Sequence, residues 1–259
     1  MNEKRIVAIV QARMGSSRLP GKVLRDIHGK PMLAWVVERA RQASTISEVL
    51  VATTSDEGDD LIAQVCAAMK VTCFRGDTYD VLDRYYRAAQ EAQADIIVRL
   101  TADCPLIDPG LIDLVVEQFI AEKVDFAANR LPPPFERTYP IGLDVEVVSF
   151  QALERAWREA TEKHEREHVL PYLYDTPGRF RIYIVNNKEN YGSYRWTVDT
   201  ETDLRFIRAI FALLTDREHF SWLDVLDIVK QHPELVEINA DISHKTYTDV
   251  DPRAGKDAR

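Results

Sequence analysis

The sequence predicts an α/β fold with a mostly parallel central sheet. Strand and helix signals alternate through the first half, the first strand is apolar without alternation, and a Gly/Ser/Pro loop follows it directly. Arg5 to Val10 reads as a central strand buried on both faces, because a half-exposed strand would alternate. The loop runs from Arg13 to Lys22, and a helix opens at Pro31, a residue tolerated in a first turn, and runs to about Ala43. Strands at Glu48 to Thr53, Val71 to Phe74 and Asp95 to Leu100 then alternate with helices at Asp59 to Met69, Tyr79 to Ala92 and Pro109 to Glu122. Four β-α repeats of this kind imply right-handed crossovers.

From Asp125 the order loosens into an elaborated C-terminal half. A loop at Pro132-Pro133-Pro134 precedes an alternating strand, Leu143 to Val148, and helices near Gln151 to Glu162 and Arg166 to Tyr174. Strands near Arg181 to Val185 and Tyr194 to Val198 follow, then helices from Thr202 to Leu214 and Trp222 to Gln231. No repeat or linker divides the 259 residues, so 1–244 read as one domain and 245–259 as a disordered polar tail.

Composition excludes some functions. The formal charge of −9, from 33 basic and 42 acidic residues, argues against coating nucleic acid or an anionic membrane. Three cysteines, Cys66, Cys73 and Cys104, are an odd number without metal-ligand spacing and read as free thiols in a reducing cytoplasm. The apolar run Ile6 to Val10 is too short for a signal segment, and no stretch approaches a membrane span of about 18 apolar residues.

The loop Arg13-Met14-Gly15-Ser16-Ser17-Arg18-Leu19-Pro20-Gly21-Lys22 is the most informative segment. Ligands of an open parallel sheet bind beyond the carboxyl ends of its strands, where this loop lies. Small residues let backbone N–H groups converge on an anion, and Arg13, Arg18 and Lys22 add positive charge, which describes a polyphosphate cradle. It is not a Walker A loop: the glycine spacing is one residue too long and Val23 stands where a hydroxyl is needed. The bland alternative is a flexible turn with solvated cations.

The segment from Ile9 through Ala12 and Arg13 to Leu24 resembles the N-terminal signature of the spore-coat-polysaccharide SpsF proteins. These belong to the cytidylyltransferase superfamily, with the CMP-Kdo and CMP-sialic acid synthetases. The resemblance continues through Gly29 to Leu33, through Leu100-Thr101-Ala102-Asp103-Cys104-Pro105-Leu106-Ile107, and through Trp196-Thr197-Val198-Asp199-Thr200. It implies a Rossmann-like (GT-A-like) nucleotidyltransferase domain that uses CTP, Mg²⁺ and an acidic sugar and releases pyrophosphate, as a homodimer. Nucleotide contacts are expected from Ala12, Arg13, Gly15, Ser16, Ser17, Arg18, Lys22, Thr53, Thr54, Asp56, Thr101 and Ala102. Arg13, Lys22 and Asp103 are the expected catalytic residues.

Asp103 follows the fourth strand, so the sheet places it on the same rim as the loop. Spacing alone leaves a turn cap before Pro105 and a metal ligand about even, since Mg²⁺ takes one or two carboxylates plus phosphate and water; the resemblance implies metal. Asp199 is implied as the second ligand, against the reading that it caps the following helix, where Thr200 and Asp203 also make a capping box. Asp144 and Glu146 share one face of a strand, a solvent-facing edge by pattern and an acceptor site by resemblance. Thr53, Thr54 and Asp56 read equally as a helix cap. No general base stands out. A GT-A glycosyltransferase would leave the long loop without a purpose, and a non-catalytic nucleotide-binding homologue would lack turnover.

His164-Glu165-Arg166-Glu167-His168 matches H-E-x-x-H letter for letter. Arg166 and Glu167 charge the positions a buried zincin helix keeps neutral, and Pro171 disturbs the helix soon after. A charged, solvent-facing helix start explains the segment better than a zinc protease.

Overall fold

The structure is a computed structural model describing residues 4–132 and 135–242. Nine strands are described: β1 (Ile6–Gln11), β2 (Asp26–Ile27), β3 (Lys30–Pro31), β4 (Glu48–Thr54), β5 (Thr72–Gly76), β6 (Ile96–Thr101), β7 (Phe126–Ala128), β8 (Glu146–Ser149) and β9 (Ile182–Ile184). The described helices are α1 (Met32–Gln42), α2 (Asp60–Ala68), α3 (Val81–Glu91), α4 (Pro109–Ala121), α5 (Phe150–Glu159), α6 (Lys163–His168), α7 (Pro171–Tyr174), α8 (Glu201–Leu213) and α9 (Trp222–Gln231). Seven strands form one sheet in the order β5-β4-β1-β6-β8-β7-β9, and β2 pairs β3 in a separate ribbon. Strands β5, β4, β1 and β6 are parallel, while β8 runs antiparallel between β6 and β7.

The unbroken apolar run of β1 is explained by layers on both faces. Ile6, Ala8 and Val10 join a core with α1, α2, α4, α8 and α9. Val7 and Ile9 join the opposite core with α3 and α5. The helices start where the sequence supplies acceptors: Asp80 takes the Asp83 N–H, Asp108 the Leu111 N–H, and Thr200 the Asp203 N–H. Gln11 lies opposite Ala52 of β4 and Thr101 of β6, so the loops after β1, β4 and β6 leave the sheet side by side. That juncture positions the site.

The C-terminal half departs from the sequence reading in three places. Tyr194 to Val198 is not a strand: it makes one bridge, Arg195 to Ile141, and its other backbone bonds go to loops, as when the Val198 N–H donates to Asp103 O at 2.9 Å. Leu143 to Val145 lies outside β8, because the Asn129 side chain takes the place of a neighbouring strand, donating to Leu143 O and accepting from the Val145 N–H. The helix expected over Arg166 to Tyr174 is two short ones, separated at the fully buried Val169, whose φ of 75° breaks the helical path. The three-residue β7 and the β2–β3 ribbon went unread in the sequence. Pro133, Pro134 and the expected tail 245–259 fall outside the described residues. No helix among the described residues is long and apolar enough to cross a membrane.

Candidate active site

The loop after β1 is fastened at both ends. The N–H groups of Ser16 and Gly21 both donate to Met14 O at 2.9 Å, and the Met14 N–H donates to Asp59 Oδ1 at 2.7 Å. Leu19 and Val23 anchor it in the core. Gly21 turns the chain at φ 69°, a left-handed conformation that glycine adopts without penalty, directly into the 3-10 turn carrying Lys22. Gly15, Ser17 and Arg18 face solvent; Arg13 and Ser16 are half-buried, and Ala12 is buried.

Thr53 and Thr54, at the end of β4, are buried beneath the loop, and both hydroxyls donate to Asp59 Oδ2. Asp59 therefore joins the end of β4 to the loop through Met14. Asp56 is exposed, and its carbonyl accepts from Arg75 at 2.8 Å.

Lys22 is the centre of the arrangement. Its Nζ donates to Asp103 Oδ2 at 2.7 Å, Asp199 Oδ1 at 2.8 Å and Val198 O at 2.8 Å, with only 8% of the residue exposed. Burial works against its charge, but Asp103 and Asp199 more than offset this and hold the Lys22 pKa above its ordinary value. Three oxygens thus converge on one cationic point, a donor set suited to a hard divalent cation.

Asp199 Oδ2 is taken by Arg18 at 2.9 Å and Arg195 at 2.8 Å. Burial opposes ionisation of Asp199, yet Lys22, Arg195 and Arg18 together hold its pKa well below the usual carboxylate range. Behind it Arg195 pairs with the fully buried Asp203, which also accepts the N–H groups of Asp199 and Thr200. Thr200 and Asp203 form the capping box of α8, so Asp199 is left to face the loop. Gly142 permits this packing: at φ 104°, a Cβ there would meet Thr197 N at 2.6 Å.

Along the same rim, the Ala102 N–H donates to Gln11 O, and Thr101 Oγ1 meets Cys104 Sγ at 3.3 Å. Glu146 is buried in an ion pair with Arg99, which overturns the solvent-facing edge suggested by pattern. Asp144 does not share its strand face, since it precedes β8; its carboxylate pairs with Arg137, and Arg130 stands 3.6 Å away. Burial acts against the Arg137 charge, and Asp144, Cys104 and Glu146 lie close enough to raise its pKa.

Asp59, Arg99, Arg130, Arg137, Arg195 and Asp203 are the members that sequence reading missed. Arg99 carried a signal, a lone charge inside the apolar run Ile96 to Leu100; the others carried none beyond a cap for Asp203.

The H-E-x-x-H segment has a different architecture. Glu165 is buried in the α6 capping box, where Oε2 accepts the N–H groups of Thr161 and Glu162 at 3.1 Å. His164 Nε2 lies 2.8 Å from Asp175 Oδ2, and Arg166 pairs with Asp80.

Comparison with known proteins bears on family and fold. The sequence profile of the family described as Cytidylyltransferase matches residues 7–223. The spore coat polysaccharide biosynthesis protein SpsF of Bacillus subtilis (strain 168) is 30% identical over 236 residues, 88% of this chain and 95% of that protein. A cytidylyltransferase structure from Leptospira borgpetersenii serovar Hardjo-bovis (strain JB197) aligns with a TM-score of 0.86 at 32% identity, covering 93% of this chain and all (100%) of that one. A CMP:2-keto-3-deoxy-manno-octonic acid synthetase complexed with CTP shares the fold, with a TM-score of 0.62 at 23% identity over 81% of this chain and 99% of that one. A profile match from residue 7 to residue 223, together with similarity along nearly the whole length of SpsF, shows that this chain is a nucleotidyltransferase of the cytidylyltransferase family.

Proposed function

We propose that this enzyme transfers CMP from CTP to a hydroxyl of an acidic sugar, for surface polysaccharide synthesis in the cytoplasm. The acceptor oxygen bonds to the α-phosphorus, the bond from that phosphorus to the β-phosphate oxygen breaks, pyrophosphate leaves, and the hydroxyl proton is lost. The observation that carries the reading is the convergence of Asp103 and Asp199 on Lys22 at the end of the glycine-serine loop.

Arg13, Arg18 and Lys22 hold the triphosphate, with the backbone N–H groups of Gly15 and Ser17 and the Ser16 hydroxyl beside them, while the Ala12 and Ser16 N–H groups hold the loop's own shape through Ala52 O and Met14 O. Thr53, Thr54, Asp56, Thr101 and Ala102 line the nucleotide side, with Thr53 and Thr54 acting through Asp59. Asp144 and Glu146, set by Arg137 and Arg99, face the acceptor. Asp103 and Asp199 would hold a divalent metal, Mg²⁺ in this proposal, with the Val198 carbonyl oxygen beside them. When bound, the metal offsets charge on the phosphates and lowers the acceptor hydroxyl pKa. The protein's own work is positioning and charge stabilisation. A synthetase complexed with CTP on the same fold, and a full-length relative named for polysaccharide biosynthesis, support nucleotide and product class. A homodimer belongs to the same proposal.

The test is pyrophosphate release from four nucleoside triphosphates against a panel of acidic sugars with Mg²⁺. CTP with at least one acidic sugar is expected to turn over. Turnover with another triphosphate alone, or with neutral sugars alone, contradicts the proposal.

A further inference from the structure

An ammonium has three N–H donors and no acceptor. Lys22 has three partners: Asp103 Oδ2, Asp199 Oδ1 and Val198 O, all within 2.8 Å. It cannot take a phosphate oxygen without releasing one of them. The two carboxylates are in the converse position, because the oxygens facing Lys22 are those a divalent cation between them must use. Arg18 and Arg195 bind the other oxygen of Asp199, Oδ2, and do not contend for the same atom.

We infer that Lys22 is an exchangeable counter-cation, which fills the cation position between Asp103 and Asp199 until a triphosphate draws it away and opens that position to a divalent metal. This rests on the assignment of the two aspartates to metal under Proposed function. Two carboxylates that face one position repel each other unless a cation sits between them, and Lys22, bonded to both, supplies that cation before substrate arrives. The triphosphate then offers the ammonium a new partner as the metal takes over the carboxylates. Metal and nucleotide binding therefore reinforce each other, and the coupling is reciprocal. The nucleotide-free enzyme holds metal poorly, which keeps a charged metal centre from forming before its substrate is in place.

Calorimetric titration of Mn²⁺ into nucleotide-free wild type, Lys22→Met and Arg18→Met tests this, with melting temperatures confirming that each is folded. Arg18→Met removes one positive charge from Asp199 without vacating the shared position, so it measures the general electrostatic effect. Exchange predicts that Lys22→Met raises Mn²⁺ affinity at least tenfold over wild type and well above Arg18→Met. Equal gains in the two variants, or no gain in Lys22→Met, overturn it. Should Lys22→Met not fold, Lys22→Gln, which keeps a donor but no charge, makes the same comparison. Adding Asp103→Asn to the lysine variant separates the two claims. Loss of Mn²⁺ binding upholds the metal assignment whatever the outcome for exchange, whereas unchanged binding removes the metal assignment and the exchange with it.

Discussion

Replacing Asp203 with asparagine removes a buried charge while keeping the side chain's shape, and the surroundings set the size of the loss. Oδ1 accepts from Arg195 Nε at 2.9 Å and Asn239 Nδ2 at 3.0 Å. Oδ2 accepts the N–H groups of Asp199 and Thr200, both at 3.0 Å, and Arg195 Nη2 at 3.1 Å. The Thr200 hydroxyl, also 3.0 Å from Oδ2, can accept as well as donate, but every other neighbour can only donate, so either orientation of an amide turns its NH₂ group against fixed donors. Breaking a buried ion pair from one side costs about 3–5 kcal/mol. Arg195 keeps Asp199 Oδ2 at 2.8 Å as a second anion, which places the loss near the lower end, about 3 kcal/mol. That is a large share of the roughly 5–15 kcal/mol that holds such proteins folded. At roughly 2–4 °C per kcal/mol for a chain of this size, melting falls by about 6–12 °C. Urea denaturation with an unchanged slope, alongside calorimetric melting, measures it. A loss under about 1 kcal/mol would show that water or a rearranged donor replaces the carboxylate, and the reasoning from a closed buried cluster would fail.

Lys22→Ala should weaken CTP binding by about 2–4 kcal/mol and CMP binding far less, because CMP lacks the β- and γ-phosphates; titration calorimetry decides, and equal losses would move Lys22 to the base or the α-phosphate. Lys22→Arg should restore little, since a planar fork does not replace a compact ammonium between two carboxylates. The folded-state pKa of Asp203 is depressed: burial opposes its charge, but Arg195, the Asp199 N–H and Asn239 outweigh it. Its stabilisation is therefore complete above the ordinary carboxylate value of about 4 and is lost as pH falls through the lower folded value. Stability measured from acid to neutral pH should fall less steeply for Asp203→Asn below about pH 4, and identical acid limbs would refute this. His164→Ala and His168→Ala should produce no zinc-dependent defect, and elemental analysis should find no stoichiometric zinc; one tightly held zinc per chain would reopen the protease reading.

The half of the molecule that was legible owes it to local signals. The apolar run of β1 has one physical explanation, burial on both faces, and the loop after it combines glycine turns with cations that need an anion. The parallel sheet placed Asp103 on the loop's rim, and the resemblance paired it with Asp199, but their closure on Lys22, 81 and 177 residues away from it, was not legible because no local signal encodes it. Tyr194 to Val198 looked like a strand because its residues favour extended backbone; its partners are loops at Ile141 and Asp103, which no periodicity encodes. Glu146 looked solvent-facing because alternation predicts a face and not the arginine across the ladder that buries it.

Pyrophosphate release from CTP and an acidic sugar, compared between wild type and Asp103→Asn with both melting temperatures recorded, bears most directly on the joint role of loop, lysine and aspartates in nucleotidyl transfer. Wild type should release pyrophosphate in a divalent-metal-dependent manner. Asp103→Asn should fold yet lose nearly all activity, because Asp103 sits at a half-exposed rim outside the apolar core. Near-normal turnover in the folded variant would contradict the assignment of this centre to the reaction.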